Sequence, residues 1–212
     1  MSANAEPYLL PYLDAAKRFG AGFGALLWAS PKTQRFRFEA MRSAYDPSRK
    51  SVLDVGCGRA DYLLHLLDHR IEPADYTGIE AVECLAESAQ VKIKNVKDRL
   101  PARIIAADFV REPARMFVGA DIVMFSGSLN TLDATNFYST LKRAYDAAAE
   151  ALVFNFLCSP FLAGRDYLTW HHADHVLRFV EGLGGFVKAN FEYLRGDGTI
   201  CVEKPVDASH DQ

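Results

Sequence analysis

Residues 52–58 read Val-Leu-Asp-Val-Gly-Cys-Gly, an apolar run that stops on a glycine pair and reaches Asp61 three residues later. Val52–Val55 suits a short buried strand. Gly56 and Gly58 let the backbone turn sharply and approach a ligand with no Cβ in the way. A helix opening near Asp61 then offers unpaired N–H groups. In an open parallel sheet, ligands bind beyond the carboxyl ends of the strands, where strand order reverses. Residues 54–61 are therefore a candidate nucleoside site; the plain alternative is a tight strand–helix turn.

The rhythm on either side supports a sheet of that kind. Downstream, helix 61–67 is followed by strand 76–79. Val82, Leu85, Ala86, Ala89, Ile93 and Val96 then share one helical face. Strands follow at 103–107, 121–125 and 152–157, with a helix over 134–149. Short strands alternating with helices predict a parallel sheet covered on both faces, an α/β domain spanning 50–205. The ending differs. A helix over 172–181 stops at glycines, and strands 186–193 and 199–203 are joined by Arg195-Gly-Asp-Gly198, a hairpin signal that turns the last strand antiparallel. Upstream, residues 1–49 form an N-terminal helical segment, with a helix over 32–44, that acts as a lid or a buttress. Gly20, Gly22 and Gly24 offer a hinge. The tail, 206–212, is expected to be frayed.

The polar residues at the strand ends are the candidate site. Glu80 closes the second strand, where a carboxylate accepts hydrogen bonds from both ribose hydroxyls of a nucleoside. Asp61 stands where a dinucleotide fingerprint wants its third glycine, and an anion there competes with a pyrophosphate for the helix terminus. With Asp54 it favours a cofactor carrying an amino group and a sulfonium. Asp108 and Phe109 offer a carboxylate for an adenine amine and an aromatic wall; Ser126 and Gly127 border the opening of the fourth strand.

At this point the motifs resemble a family. VLDVGCG at 52–58, Glu80, AADF at 106–109 and FSGSLN at 125–130 resemble the successive cofactor motifs of class I S-adenosylmethionine-dependent methyltransferases. The resemblance implies a Rossmann-like, seven-stranded, mostly parallel sheet with an antiparallel last strand. It implies S-adenosyl-L-methionine as cofactor, held by Asp54, Gly56, Cys57, Gly58, Glu80, Ala81, Asp108, Phe109, Ser126 and Gly127. A fainter similarity runs through Trp28, Ser30, Gln34, Arg37 and Phe38 to small bacterial methyltransferases with a W-x-S-x-x-x-Q-x-x-R-F stretch. It places Gln34 and Arg37 near the cofactor, with the Arg37 guanidinium suited to a methionine carboxylate. On that basis Arg37→Ala is expected to weaken cofactor binding and to leave apo-protein stability nearly unchanged. Departures count too: no [DN]-P-P-[YF] follows strand four, which disfavours N-methylation of adenine in DNA.

Methyl transfer is mainly alignment, with a general base where the nucleophile is protonated. His171 and His172, after strand five, are the candidate bases. His171-His172-x-x-His175 also has a metal-like spacing, but no metal is expected. Net charge is −3 and the pI about 6.1, which disfavours a nucleic-acid partner and leaves a small-molecule substrate. Four scattered cysteines without a CxxC pair fit a reduced, cytoplasmic setting without membrane association. The apolar run 19–29 is too short to span a bilayer. Competing readings are a non-catalytic S-adenosylmethionine-binding module, an NAD-dependent oxidoreductase and an aminopropyl transferase.

Overall fold

A computed structural model describes residues 5–96 and 98–205; the tail 206–212 lies outside the described residues. Seven strands form one sheet: β1 (Ser51–Val55), β2 (Asp75–Glu80), β3 (Ala102–Ala106), β4 (Ile122–Phe125), β5 (Ala151–Leu157), β6 (Phe186–Asn190) and β7 (Asp197–Glu203). Their order is β3-β2-β1-β4-β5-β7-β6. The first five run parallel, and β7 slots between β5 and β6, antiparallel to both. Strand order reverses between β1 and β4, so the sheet opens a crevice at their carboxyl ends.

The pleat assigns side chains to two cores. Ile122 and Met124 of β4 face one side; Val123 and Phe125 face the other. On the first side lie α2 (Pro31–Ala44), α3 (Asp61–Asp68) and α4 (Glu83–Lys94), contributing Met41, Leu63, Leu66 and Ile93. On the second lie α5 (Ala134–Ala147) and α6 (Ala173–Glu181), contributing Phe137, Leu141, Val176 and Val180.

The N-terminal segment divides in two. Its later part, α2, is a layer of the sheet: Phe38 and Met41 are buried in one core cluster with β1, β4 and β5. Its start is set by a reciprocal cap, in which Ser30 Oγ accepts from the Thr33 N–H and Thr33 Oγ1 accepts from the Ser30 N–H, with Pro31 in the first turn. The earlier part, α1 (Leu10–Phe19) and a 3-10 turn at Phe23–Leu26, lies over the crevice, with Ala25 fully buried against Val82 and Leu85.

The hairpin holds one surprise. Asp197-Gly198 does not make the turn; Gly196, at φ +85°, does. β7 therefore starts at Asp197, opposite Leu157, and the Asp197 carboxylate is wholly buried. Among the described residues no helix is long and apolar enough to cross a membrane.

Candidate active site

The loop after β1 bends because Gly56 and Gly58 take φ values of +74° and +56°. The N–H groups of Gly56 and Cys57 both donate to the Ile79 carbonyl, 2.8 and 3.0 Å away, which ties the loop to the end of β2. Ser128 Oγ donates to the Val55 carbonyl at 2.6 Å from the far side. A Cβ on Gly56 would sit 2.3 Å from the Ser128 Cβ. Gly56→Ala therefore forces both the φ strain and a backbone shift; it should destabilise the fold by at least about 1 kcal/mol, read as a lower midpoint in urea unfolding.

Glu80 is buried at the centre of this loop. Its Oε2 accepts the Gly58 N–H and its Oε1 the Val82 N–H, each at 2.8 Å. Each oxygen keeps further lone-pair capacity on the cleft side. Burial pushes the Glu80 carboxyl up to about 7, against the pull of the Val82, Gly58 and Ala81 amides, with Asp54 adding to the rise. Asp54 accepts the Tyr76 hydroxyl at 2.7 Å, and burial likewise lifts it to about 7. Asp61 differs. Lys92 and Arg59 pair with it and outweigh its burial, holding its carboxyl below the usual range. The third acid of the loop is thus neutralised in place.

These groups face one cleft of about 1020 Å³. Gly56, Cys57, Gly58, Glu80 and Ala81 form its floor; Phe109, Ser126 and Gly127 form one side; Gln34 and Arg37 reach in from α2. Phe109 is fixed by an edge-on contact with Phe125, ring centroids 5.7 Å apart. The Ser126 Oγ is shielded from water and has no hydrogen-bond partner among the described residues. Gly127 donates its N–H to Asn155 Oδ1 at 2.8 Å, and the Trp28 ring packs against its α-carbon.

Three sequence candidates are placed differently. Asp108 is not on the cleft wall: its Oδ2 accepts the Tyr8 hydroxyl at 2.8 Å, and its Oδ1 accepts the Val110 N–H. His171 is buried with its ring stacked on Phe137 at 3.9 Å, and burial lowers its pKa. His172 stands just before the first residue of α6, with no side-chain capping hydrogen bond, beside Trp170 at 4.7 Å. Neither histidine lines the cleft, so the structure does not bring the two candidate bases to the other site residues. Arg37 lines the cleft, but two of its nitrogens are committed: Nε, at 2.6 Å, and Nη2 both donate to Asp197 Oδ2. Its guanidinium also stacks under Trp28 at 4.8 Å.

No protein-family model and no curated protein matches the sequence. Solved structures do match. A magnesium protoporphyrin IX methyltransferase from Synechocystis, with bound S-adenosylmethionine, is 12% identical with a TM-score of 0.70, over 97% of this chain and 100% of that one. An S-adenosylmethionine-dependent methyltransferase from Leishmania major is 16% identical with a TM-score of 0.68, over 95% and 87%. A small RNA methyltransferase is 12% identical with a TM-score of 0.67, over 82% of this chain and 25% of that one. The fold is that of the class I methyltransferases.

Within a class I methyltransferase fold, the crevice between β1 and β4 is the place for a ligand, and the glycine loop and Glu80 stand at its mouth. Three residues, two lining the cleft and one behind it, fall outside the cofactor motifs. Tyr12 of α1 faces the cleft with Glu80 nearby, and burial raises its phenol. Trp28 packs on the loop after β4 at Gly127. Asp197 is 160 residues from Arg37. Only the hydrophobic face of α1 and the W-x-S stretch pointed toward the first two.

Proposed function

We propose that the chain is an S-adenosylmethionine-dependent methyltransferase acting on a small-molecule acceptor. The observation that carries this reading is Glu80: a buried carboxylate held from behind by the Gly58 and Val82 amides, with its remaining lone pairs toward a cleft floored by glycines. Such a group suits a vicinal pair of ribose hydroxyls. Phe109 flanks the space for the purine, and Asp54 and Glu80 give the floor an acidic character that suits a cationic cofactor. The partnerless Ser126 Oγ is a further polar contact for cofactor or acceptor. When bound, S-adenosylmethionine supplies a methyl group on a sulfonium. The protein's part is to orient the acceptor and exclude water.

A small acceptor is favoured by the form of the cleft. Tyr12, Leu26 and Trp28 roof it, and Arg165 and Tyr167 line it from the segment between β5 and α6. A volume of about 1020 Å³ reaches the upper end of single-ligand pockets and leaves room for cofactor plus a small partner. The net charge of −3 argues the same way against a polyanion. Incubation with methyl-labelled S-adenosylmethionine and a bacterial extract, followed by size fractionation, tests this. Label should appear in the low-mass fraction; label in RNA or protein would refute the small-molecule acceptor.

The roof is proposed to act as a lid, on a narrower segment than the whole of residues 1–49. Phe38 and Met41 lock α2 into the core, so motion belongs to residues 19–30, between Phe19 and the Ser30 cap. Amide exchange there should slow when S-adenosylhomocysteine is added, while 34–44 stays equally protected. Equal exchange over 19–30 with and without ligand would make the segment a static buttress.

A further inference from the structure

A second cluster of polar side chains lies outside the cleft, between the outer ends of α2 and α3. His65 lies in α3 and His69 follows its last residue as the C-cap, one helical turn later on the same face. Glu39 of α2 faces both: its Oε1 is 3.1 Å from His65 Nε2 and 3.2 Å from His69 Nε2. The three ligand atoms lie within 4.8 Å of one another. None of the three lines the cleft.

The proton positions make this arrangement informative. His69 Nδ1 is 2.7 Å from the His65 carbonyl, which can only accept, so Nδ1 carries the hydrogen. With Nδ1 engaged in this way, His69 turns Nε2 toward the Glu39 carboxylate oxygen. The same oxygen faces His65 Nε2, which is shielded from water and makes no hydrogen bond among the described residues, on a side chain only 8% exposed. Two imidazole nitrogens and a carboxylate oxygen, all able to ligate a metal, thus converge on one point. A cation at their centre satisfies all three at once.

We propose that Glu39, His65 and His69 bind one divalent transition-metal cation, zinc by ligand type. Two imidazoles and a carboxylate are a borderline ligand set that suits zinc over calcium or magnesium. Bonds of about 2.0–2.2 Å in a tetrahedron put neighbouring ligand atoms about 3.3–3.5 Å apart, close to the two observed separations. The supporting contacts are present as well. The His65 carbonyl orients the His69 ring, and Arg42 holds the other Glu39 oxygen through Nε at 2.7 Å and Nη2 at 2.5 Å. Glu39 and His69 are 37% and 40% exposed, which gives the cation a way in and leaves the fourth position to water. The bound ion would pin α2 to α3. Gln34 on α2 and Asp61 on α3 both reach the cleft little more than one turn away from Glu39 and His65, so the clamp would stiffen one wall of it.

The test is zinc and cobalt titration of tag-free, chelator-treated full-length protein. Wild type should take up one zinc per chain with micromolar or tighter affinity, melt at a higher temperature with zinc, and give the visible bands of tetrahedral cobalt without thiolate charge transfer. His69→Ala, at a half-exposed position that leaves the core intact, should weaken uptake at least about 100-fold. The double variant His172→Ala/His175→Ala should bind as wild type. On the wild-type protein itself, the His65 and His69 imidazole resonances should shift with zinc. No zinc uptake by wild type, uptake unchanged in His69→Ala, or imidazole signals that respond to pH but not to zinc would overturn the proposal. None of these outcomes depends on the methyltransferase reading.

Discussion

Arg37→Ala should lower the melting temperature of the apo-protein by about 6–20 °C. From sequence alone that substitution is expected to be nearly silent for stability, with Arg37 waiting for a ligand carboxylate. The structure gives it a resident partner. Asp197 is fully buried at the start of β7, and Arg37 Nε and Nη2 and the Tyr193 hydroxyl all donate to it. Burial still pushes the Asp197 carboxyl up, with Arg37 and Tyr193 pulling against that rise. Removing the arginine leaves an uncompensated charge inside the protein, which costs about 3–5 kcal/mol. A chain of this size loses about 2–4 °C per kcal/mol. Differential scanning calorimetry of Arg37→Ala against Arg37→Ala/Asp197→Leu checks the cause: the second change should recover much of the loss. A melting temperature within about 2 °C of wild type for Arg37→Ala would show that the pair carries no weight.

Glu80→Gln should cut cofactor affinity by about two orders of magnitude or more, because two hydrogen bonds to a charged acceptor, at about 1.5–3 kcal/mol each, are weakened or reversed. The isosteric amide keeps an acceptor for the Val82 N–H and loses the one for Gly58 N–H, so the fold should persist with a modest loss of stability, about 1–3 kcal/mol. The pH dependence separates binding from folding. The Glu80 carboxyl rises from its ordinary 4.5 to about 7 in the folded chain. Between those values the folded state holds a proton that the unfolded state has released. The Glu80 contribution therefore favours the fold most below about 4.5, fades as pH rises to about 7, and is constant above. Cofactor binding runs the other way, since two hydroxyl donors need the ionised acid, and should tighten as pH rises through 7. Isothermal titration at pH 6 and 8 should show this slope in wild type and flatten it in Glu80→Gln. Asp54, also lifted to about 7, contributes to the stability slope in both proteins, so binding is the cleaner readout.

What was legible in the sequence was local. The β1 run, the glycine pair and Glu80 lie within 30 residues of one another, and the strand–loop–helix pattern brings them together without help from elsewhere. The antiparallel ending was legible for the same reason, although Asp197-Gly198 marked the hairpin while Gly196 turns it. Asp108 reads as a cleft acid from its own strand alone; Tyr8, 100 residues earlier, donates to its Oδ2. His171 or His172 is a candidate base because the resemblance puts the segment after strand five over the substrate, but one ring fills a slot against Phe137 of α5 and the other stands at the start of α6. The Glu39, His65 and His69 cluster went unread because its carboxylate arrives from another helix, 26 residues upstream of the nearer histidine. Pairings between distant segments depend on packing that no local spacing encodes.

The most direct test of the cofactor site is isothermal titration of the purified, ligand-stripped chain with S-adenosylhomocysteine and, separately, with NAD. Glu80 and the acidic Asp54 beside it in the cleft predict one S-adenosylhomocysteine bound per chain with micromolar or tighter affinity, weakened at least about 100-fold in Glu80→Gln, and weaker binding of the anionic NAD. Tight NAD binding with no heat from S-adenosylhomocysteine would contradict it.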